Sequence, residues 1–323
     1  MTLILTRSDV LRLITLPEVF TAVQRAHADL ARGEAVAPAP PAMRLPGTDA
    51  AFLVMAAASR PAGLAVVKLL ADMPSNADHA LPVQRSAILA VSAADGSCEA
   101  LIDGAAVTRV RTAAASAVAT AALARPDSRV LGLVGAGALA RAHVHALAAV
   151  LPFDRIVVWS RTEATAHAFA AETGAEICTA AADVVHAADV LCTLTPAREP
   201  VVRGAWFRPG LHVNAVGAPP RADHREIDSE GMRRARVVVD SRLSALHESG
   251  DVLIPLREGV FGPEHIDTEL GEVLIGAKPG RTERDQITLF NSLGIGLQDL
   301  AAARLLIDAA RKHGIGADID LTA

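Results

Sequence analysis

Val130-Leu131-Gly132-Leu133-Val134-Gly135-Ala136-Gly137-Ala138-Leu139-Ala140 is an apolar strand run that passes directly into the spacing G-x-G-x-x-A. A helix is expected to follow, with its body at His143 to Leu151. Each small residue has a physical task in a dinucleotide-binding turn. Gly135 permits the tight bend, Gly137 leaves room for a pyrophosphate against the backbone, and Ala140 lets helix and strand pack closely. The helix start then offers free N–H groups and the positive end of its dipole to phosphate. Glycine turns of this kind also occur in unrelated α/β proteins, so the surroundings decide the reading.

Those surroundings are regular. Short apolar runs at Val130 to Val134, Arg155 to Trp159, Glu176 to Cys178, Val190 to Leu194, His212 to Val216 and Val237 to Asp240 alternate with helical segments. Such alternation specifies a parallel sheet with helices on both faces, and the glycine turn stands first in the series. The expected cofactor contacts are Gly135, Ala136, Gly137, Ala138 and Leu139 in the turn, with Thr195, Val216 and Gly217 at later strand ends. The tip of the second strand reads Ser160-Arg161-Thr162, with no acidic residue to accept a ribose 2′-hydroxyl. The cofactor is therefore NADP or NAD. Arg161 favours NADP through a 2′-phosphate, and a loop arginine stacked on adenine in an NAD enzyme is the alternative.

Upstream the pattern differs. Apolar positions between Ser8 and Arg32 recur at helical spacing, interrupted near Pro17, and predict two short amphipathic helices. A proline-rich loop, residues 36–47, delivers Arg44 to the edge of a strand at Ala51 to Ala57. Further strands are expected at Gly63 to Leu70, Ala87 to Ser92 and Cys98 to Ile102, in an antiparallel or mixed sheet. An alanine-rich helix, Thr112 to Ala124, leads into the second domain, and a long helix, Ser292 to His313, returns to the first. The fold class is α/β: a Rossmann-type dinucleotide-binding domain at 116–295, plus an α+β substrate-binding and dimerisation domain at 1–115 with 296–323.

Composition narrows the function classes. With 51% apolar and 21% charged residues among 323, the chain is globular. A net charge of −5 and scattered Lys and Arg give no footprint for nucleic acid. Cys98, Cys178 and Cys192 are odd in number and lack metal-ligand spacing, so no metal site is expected and a reducing compartment fits. No continuously apolar stretch long enough for a membrane span is found, nor a secretory leader, so a cytoplasmic location is expected.

Several segments together resemble the ornithine cyclodeaminase/mu-crystallin family over nearly the whole chain. They are Lys68 in its strand, Asp103-Gly104, Arg109-Val110-Arg111-Thr112-Ala113-Ala114-Ala115-Ser116, the Gly135 turn, Asn214-Ala215-Val216-Gly217-Ala218, Glu248-Ser249-Gly250-Asp251 and Ser292-Leu293-Gly294. The resemblance implies a homodimer formed through the first domain, with substrate held between that domain and the nicotinamide, and Thr112 beside the cofactor. It implies an amino-acid or imino-acid substrate whose carboxylate is held by Arg44, Lys68 and Arg111. The chemistry agrees: a bidentate arginine fixes orientation, and a lysine near the reacting nitrogen can exchange a proton. Lys68 also lies in the apolar run Ala65-Val66-Val67-Lys68-Leu69-Leu70, where an unpaired charge would be costly.

Departures from the cyclising deaminases point away from a diamine substrate. Ala218 stands where they resemble one another in having Asp, and Met55 where they have Glu. Asp223 resembles the acidic residue of the mu-crystallin and alanine dehydrogenase branch, with His224 an alternative proton donor. The expected activity is reduction of a 2-imino acid to an L-amino acid, with Lys68 or Asp223 supplying the proton. Met55 would line an apolar pocket for small or cyclic ketimines, whereas Arg85 would receive a second carboxylate if the substrate were iminosuccinate. The alternatives are an ornithine cyclodeaminase-type lyase forming proline and a non-catalytic mu-crystallin-like binding protein.

Overall fold

The computed structural model describes residues 1–321. Contacts divide the chain into two units, Met1–Thr112 with Gly294–Ala323, and Ala113–Leu293.

The first unit is built on a mixed sheet in the spatial order Ala317–Ile319, Thr2–Leu5, Cys98–Asp103, Gln84–Ser92, Leu64–Asp72, Ala51–Ser59, Ala35–Val36. Ala42–Arg44 also pairs with Ala51–Ser59. Only Thr2–Leu5 with Cys98–Asp103 is parallel; the other pairs are antiparallel. Along Ala51–Ser59 and Leu64–Asp72 every second residue is buried, as a sheet with one covered face requires. The helices Leu16–Ala31 and Gly296–His313 pack together, and the latter lies on these two strands. Its approach is close: a Cβ on Gly296 would stand 2.6 Å from the Ala56 backbone. The opposite face leaves Val67, Leu69, Leu89 and Leu101 exposed.

The second unit carries an eight-stranded, wholly parallel sheet in the order Glu176–Ile177, Arg155–Trp159, Val130–Val134, Val190–Thr193, His212–Ala215, Thr288–Asn291, Arg236–Val239, Thr268–Glu269. Chain order reverses beside Val130–Val134, because the second and third strands lie on one side of it and the fourth and fifth on the other. The register aligns Val134 with Trp159 and with Thr193, and Thr193 with Ala215. Residues that follow these four strands therefore leave from a single edge.

Three boundaries differ from the sequence expectation. The linking helix begins at Gly104, not Thr112, since Val107, Thr108 and Val110 weaken the local helical signal without preventing the helix. The helix after the glycine turn begins at Ala138, directly behind Gly137. The last long helix begins at Gly296, because Thr288–Asn291 is a strand and Gly294 turns the chain with φ +77°. The sheet accordingly has two strands more than the six expected. Thr268–Glu269 and Thr288–Asn291 have only two and four residues, too few to show a period.

Two motif residues turn out to fasten the second unit. His143 Nδ1 donates to the Leu139 carbonyl at 2.8 Å, which leaves Nε2 to accept from Ser116 Oγ at 2.9 Å. Burial pushes the His143 imidazole down to about 4, so this neutral tautomer is the stable one. Asn214 Nδ2 likewise donates to Thr120 Oγ1 at 2.9 Å. Ser116 and Thr120 are one helical turn apart, and between them they fix the glycine-turn helix and the fifth strand. Among the described residues no helix is long and apolar enough to cross a membrane.

Candidate active site

Lys68 is completely buried on the covered face of the first unit's sheet, opposite Met55 on one side and Ile88 on the other. A charge in that position needs partners. Asp299, in the first turn of Gly296–His313, provides them. Its Oδ2 lies 2.7 Å from Lys68 Nζ and its Oδ1 accepts from Arg111 Nε at 3.2 Å. Arg111 also donates through Nη1 to Gln298 Oε1 at 2.7 Å, and Gln298 Nε2 lies 3.3 Å from Nε2 of the buried His27. Burial pushes the His27 imidazole down to about 4, so it accepts as a neutral ring. Lys68 Nζ has a further contact with Thr108 Oγ1 at 3.4 Å.

This buried cluster joins two cations to one carboxylate, leaving one positive charge in excess. Burial pushes the Lys68 ammonium down to about 8; the neighbouring Arg111 charge acts in the same direction, and Asp299 opposes both. An amine so poised can be a proton donor and, after release, an acceptor near neutral pH.

Other expected substrate contacts are placed differently. Arg44 ends the short strand Ala42–Arg44 opposite Ala51, on the same sheet face as Lys68. Its rung is four residues from that of Lys68, about 13 Å at roughly 3.3 Å per residue, and its side chain is exposed. Arg85 is opposite Ala71, and Lys68 is opposite Ile88 on the same strand. The two-residue period therefore puts Arg85 on the other face, and the expectation that it joins Lys68 in receiving one substrate is corrected for this chain. Leu53 and Leu70 instead flank Met55 and Lys68 on the covered face, each buried. Thr112 is buried, with Oγ1 donating to the Thr108 carbonyl at 2.6 Å.

In the second unit, the glycine turn has the shape a dinucleotide phosphate requires. Gly135 has φ +110°, and a Cβ there would lie 2.9 Å from the Leu194 carbonyl oxygen, so both conformation and space demand glycine. At Gly137 a Cβ would meet no protein atom within 4 Å, and the residue stands exposed at the start of Ala138–Ala148. No side chain caps that helix. Open space at Gly137 beside free N–H groups fits a pyrophosphate. Ala136 is buried behind the turn, while Ala138 and Leu139 open toward solvent. Ser160, Arg161 and Thr162 follow the neighbouring strand, and Arg161 is exposed with no ion-pair partner among the described residues. Thr195, Val216 and Gly217 follow the fourth and fifth strands on the same edge.

Asp223 is exposed in an otherwise partly buried loop, and its Oδ1 accepts from Nδ1 of the largely buried His224 at 3.0 Å. Asp299, Gln298 and Glu226 carry the interactions that sequence reading missed. Gln298 and Asp299 sit in the first turn of a helix that also carries Arg304, Asp308, Arg311, Lys312 and His313, so nothing local sets them apart. Glu226 is fully buried and accepts from Thr193 Oγ1, Thr195 N, Thr195 Oγ1 and Gly217 N. Burial pushes its carboxyl up to about 7, against the lowering effect of the Thr195 bonds.

The ornithine cyclodeaminase/mu-crystallin family model matches residues 1–314. The ketimine reductase mu-crystallin of Mus musculus is 40% identical over 258 residues, 79% of each chain. The Thermococcus litoralis Δ1-pyrroline-2-carboxylate reductase, solved with NADH and L-proline, superimposes with a TM-score of 0.94 at 36% identity, covering 98% of this chain and all of that one. An archaeal alanine dehydrogenase dimer with bound NAD gives a TM-score of 0.94 at 31% identity over 99% of both chains. With the glycine turn, the Lys68 and Arg111 positions and the full-length match in agreement, the chain belongs to the ornithine cyclodeaminase/mu-crystallin family.

Proposed function

We propose that this chain is an NAD(P)H-dependent reductase that converts a 2-imino acid into an L-amino acid. It is an oxidoreductase of C=N and CH–NH2 groups, as its relatives are. The observation that carries the reading is the buried Lys68–Asp299–Arg111 cluster and its excess positive charge. One substrate carboxylate neutralises that charge, and Arg44 adds a solvent-facing contact. When bound, the reduced nicotinamide supplies hydride to the α-carbon. Lys68 supplies the proton that the reduced nitrogen needs, with Asp223 the other candidate. An arriving carboxylate stabilises the Lys68 ammonium, so binding prepares the donor in its protonated form.

The wall beside Lys68 sets the substrate class. Leu53, Met55 and Leu70 are apolar, and Arg85 faces the other way. A small apolar or cyclic ketimine suits this wall; a second carboxylate, as in iminosuccinate, finds no cation there from Arg85. Met55 leaves a distal amine without an acidic partner, which disfavours the ornithine-cyclising alternative. Retention of Lys68 and Arg111 disfavours a non-catalytic binding protein.

The test is a screen of cyclic ketimines, 2-oxo acids with ammonia or methylamine, iminosuccinate and ornithine, following NADH and NADPH separately. Cyclic or apolar imines should be reduced fastest; proline formed from ornithine in the absence of imine reduction would overturn the reading. Lys68→Met should stay folded and lose activity. A carboxylate-holding role alone raises KM, whereas proton donation adds a fall in kcat of roughly 10²-fold or more.

The pH profile is a second check. Reduction requires Lys68 protonated, so kcat/KM should fall above about pH 8, and oxidation of the amino acid should rise across the same range. Asp299→Asn removes the anion that sustains the ammonium and should move the alkaline limb of reduction to lower pH. An unmoved limb in a folded variant would remove Lys68 from proton transfer.

Arg161 is the proposed reader of the cofactor ribose, with NADP preferred. Arg161→Asp should then depress NADPH efficiency by about tenfold or more and NADH little, because a phosphate-pairing cation becomes a repelling anion. An equal response to both cofactors would mean that Arg161 does not read the ribose.

We further propose a cytoplasmic homodimer formed through the outer sheet face of the first unit, where Val67, Leu69, Leu89 and Leu101 stand exposed on neighbouring strands. A self-pairing apolar face of this kind is costly in water and is relieved by a second copy. Leu69→Glu should shift the dimer toward monomer in sedimentation equilibrium; an unchanged dimer would locate the interface elsewhere.

A further inference from the structure

Glu226 belongs to no motif, yet it has four donors converging on its two side-chain oxygens. Oε1 accepts from Thr195 N at 2.6 Å and Thr195 Oγ1 at 2.7 Å; Oε2 accepts from Gly217 N at 2.7 Å and Thr193 Oγ1 at 2.8 Å. The two loops so held are in contact, since a Cβ on Gly217 would stand 2.0 Å from Thr195 N. The first of them also abuts the glycine turn at Leu194. Glu226 itself is anchored from behind, because its own N–H donates to Asp251 Oδ1 at 2.9 Å and Asp251 Oδ2 accepts from Asn291 Nδ2 at 3.3 Å. A buried carboxylate with this donor set behaves as a rigid staple: without it the Thr195 N–H would lose its acceptor and the Gly217 N–H would keep only its 3.1 Å bond to the Thr193 carbonyl.

The location gives the staple a specific meaning. Sheets of this topology bind a dinucleotide across the point of reversal, one mononucleotide half on each side. Here the glycine turn and Ser160-Arg161-Thr162 follow the first and second strands, the adenosine side, whereas Thr195 and Gly217 follow the fourth and fifth. We infer that Glu226 is a positioning residue that holds the Thr195 and Gly217 loops in the form that receives the nicotinamide half of the cofactor, leaving the adenosine half to the glycine turn. This rests on the dinucleotide reading of the second unit.

Glu226→Gln is the informative change. It is nearly isosteric, but one accepting oxygen becomes an NH2 group. Whichever way the amide is turned, that group faces a backbone N–H, of Thr195 or of Gly217, that cannot rotate away. Binding of NADH and of ADP-ribose, which lacks nicotinamide, is measured by calorimetry on the wild-type and variant proteins. NADH should bind about tenfold more weakly to the variant, while ADP-ribose stays within about twofold. A purely structural tie would change both ligands equally or neither, and either result overturns the inference. If Glu226→Gln does not fold, Thr195→Val takes its place. It removes one donor to the same oxygen and should show the same split at about threefold; no split there overturns the inference as well. Should wild-type protein bind neither ligand, the dinucleotide reading itself falls; should it bind both with no split in the variants, only the role of Glu226 falls.

Discussion

Lys68, Arg111 and Asp299 give up their hydration together, and much of the first unit is arranged to make that tolerable. Desolvating an ion costs several kcal/mol even after relaxation, and removing one partner of a buried pair typically costs about 3–5 kcal/mol. The anion cannot come from the neighbouring strands, whose covered faces are apolar around Lys68. It comes instead from Asp299, 188 residues beyond Arg111 on the returning helix, and the unit is accordingly discontinuous in sequence. Gly296 lets that helix start against the Ala56 backbone, and this brings Gln298 and Asp299 down onto the cationic pair.

The same constraint separates what the sequence makes legible from what only the fold brings together. Lys68 was visible because a lysine inside an apolar run contradicts its surroundings. Asp299 was not, since an acidic residue in the first turn of a helix is already accounted for by the helix dipole. Arg85 was misjudged for a related reason. Whether it shares a face with Lys68 depends on strand register, and the strands are joined not by a tight hairpin but by a connection containing the 3-10 turn Pro74–His79. A slip of one residue would have reversed the assignment. The parallel sheet was legible from its period and turn residues, whereas its two shortest strands exist only through their neighbours.

Motif residues and working residues separate in an instructive way. Ser116 and Asn214 lie in the two most distinctive segments of the chain, yet their side chains fasten helix Gly104–Leu123 to His143 and to the fifth strand. They are architecture. Gly135 and Gly137 combine both roles, one by its positive φ and the other by the space left beside it. Glu226 and Asp251 show the reverse case, in which carboxylates buried beneath the strand ends organise loops whose own sequences carry no sign of the dependence.

The two buried charge systems are compensated in opposite ways. In the second unit, Glu226 and Asp251 are matched mainly by N–H and hydroxyl donors, and burial pushes their carboxyl groups up to about 7 and about 6. Those carboxylates are held chiefly by dipoles, with Arg225 acting on Asp251 as a lesser charge. In the first unit, Lys68 and Arg111 share a single carboxylate, so an uncompensated cationic charge remains in the buried interior. Because Coulomb interactions strengthen as the local dielectric falls, that residual charge would, in the proposed function, weigh heavily on what binds beside it. A carboxylate relieves it, an amine aggravates it, and a neutral ligand leaves it unanswered. On the proposed reading, selection for the acid function thus precedes any contact with the apolar wall of Leu53, Met55 and Leu70, which would discriminate only among molecules that have already brought the missing anion.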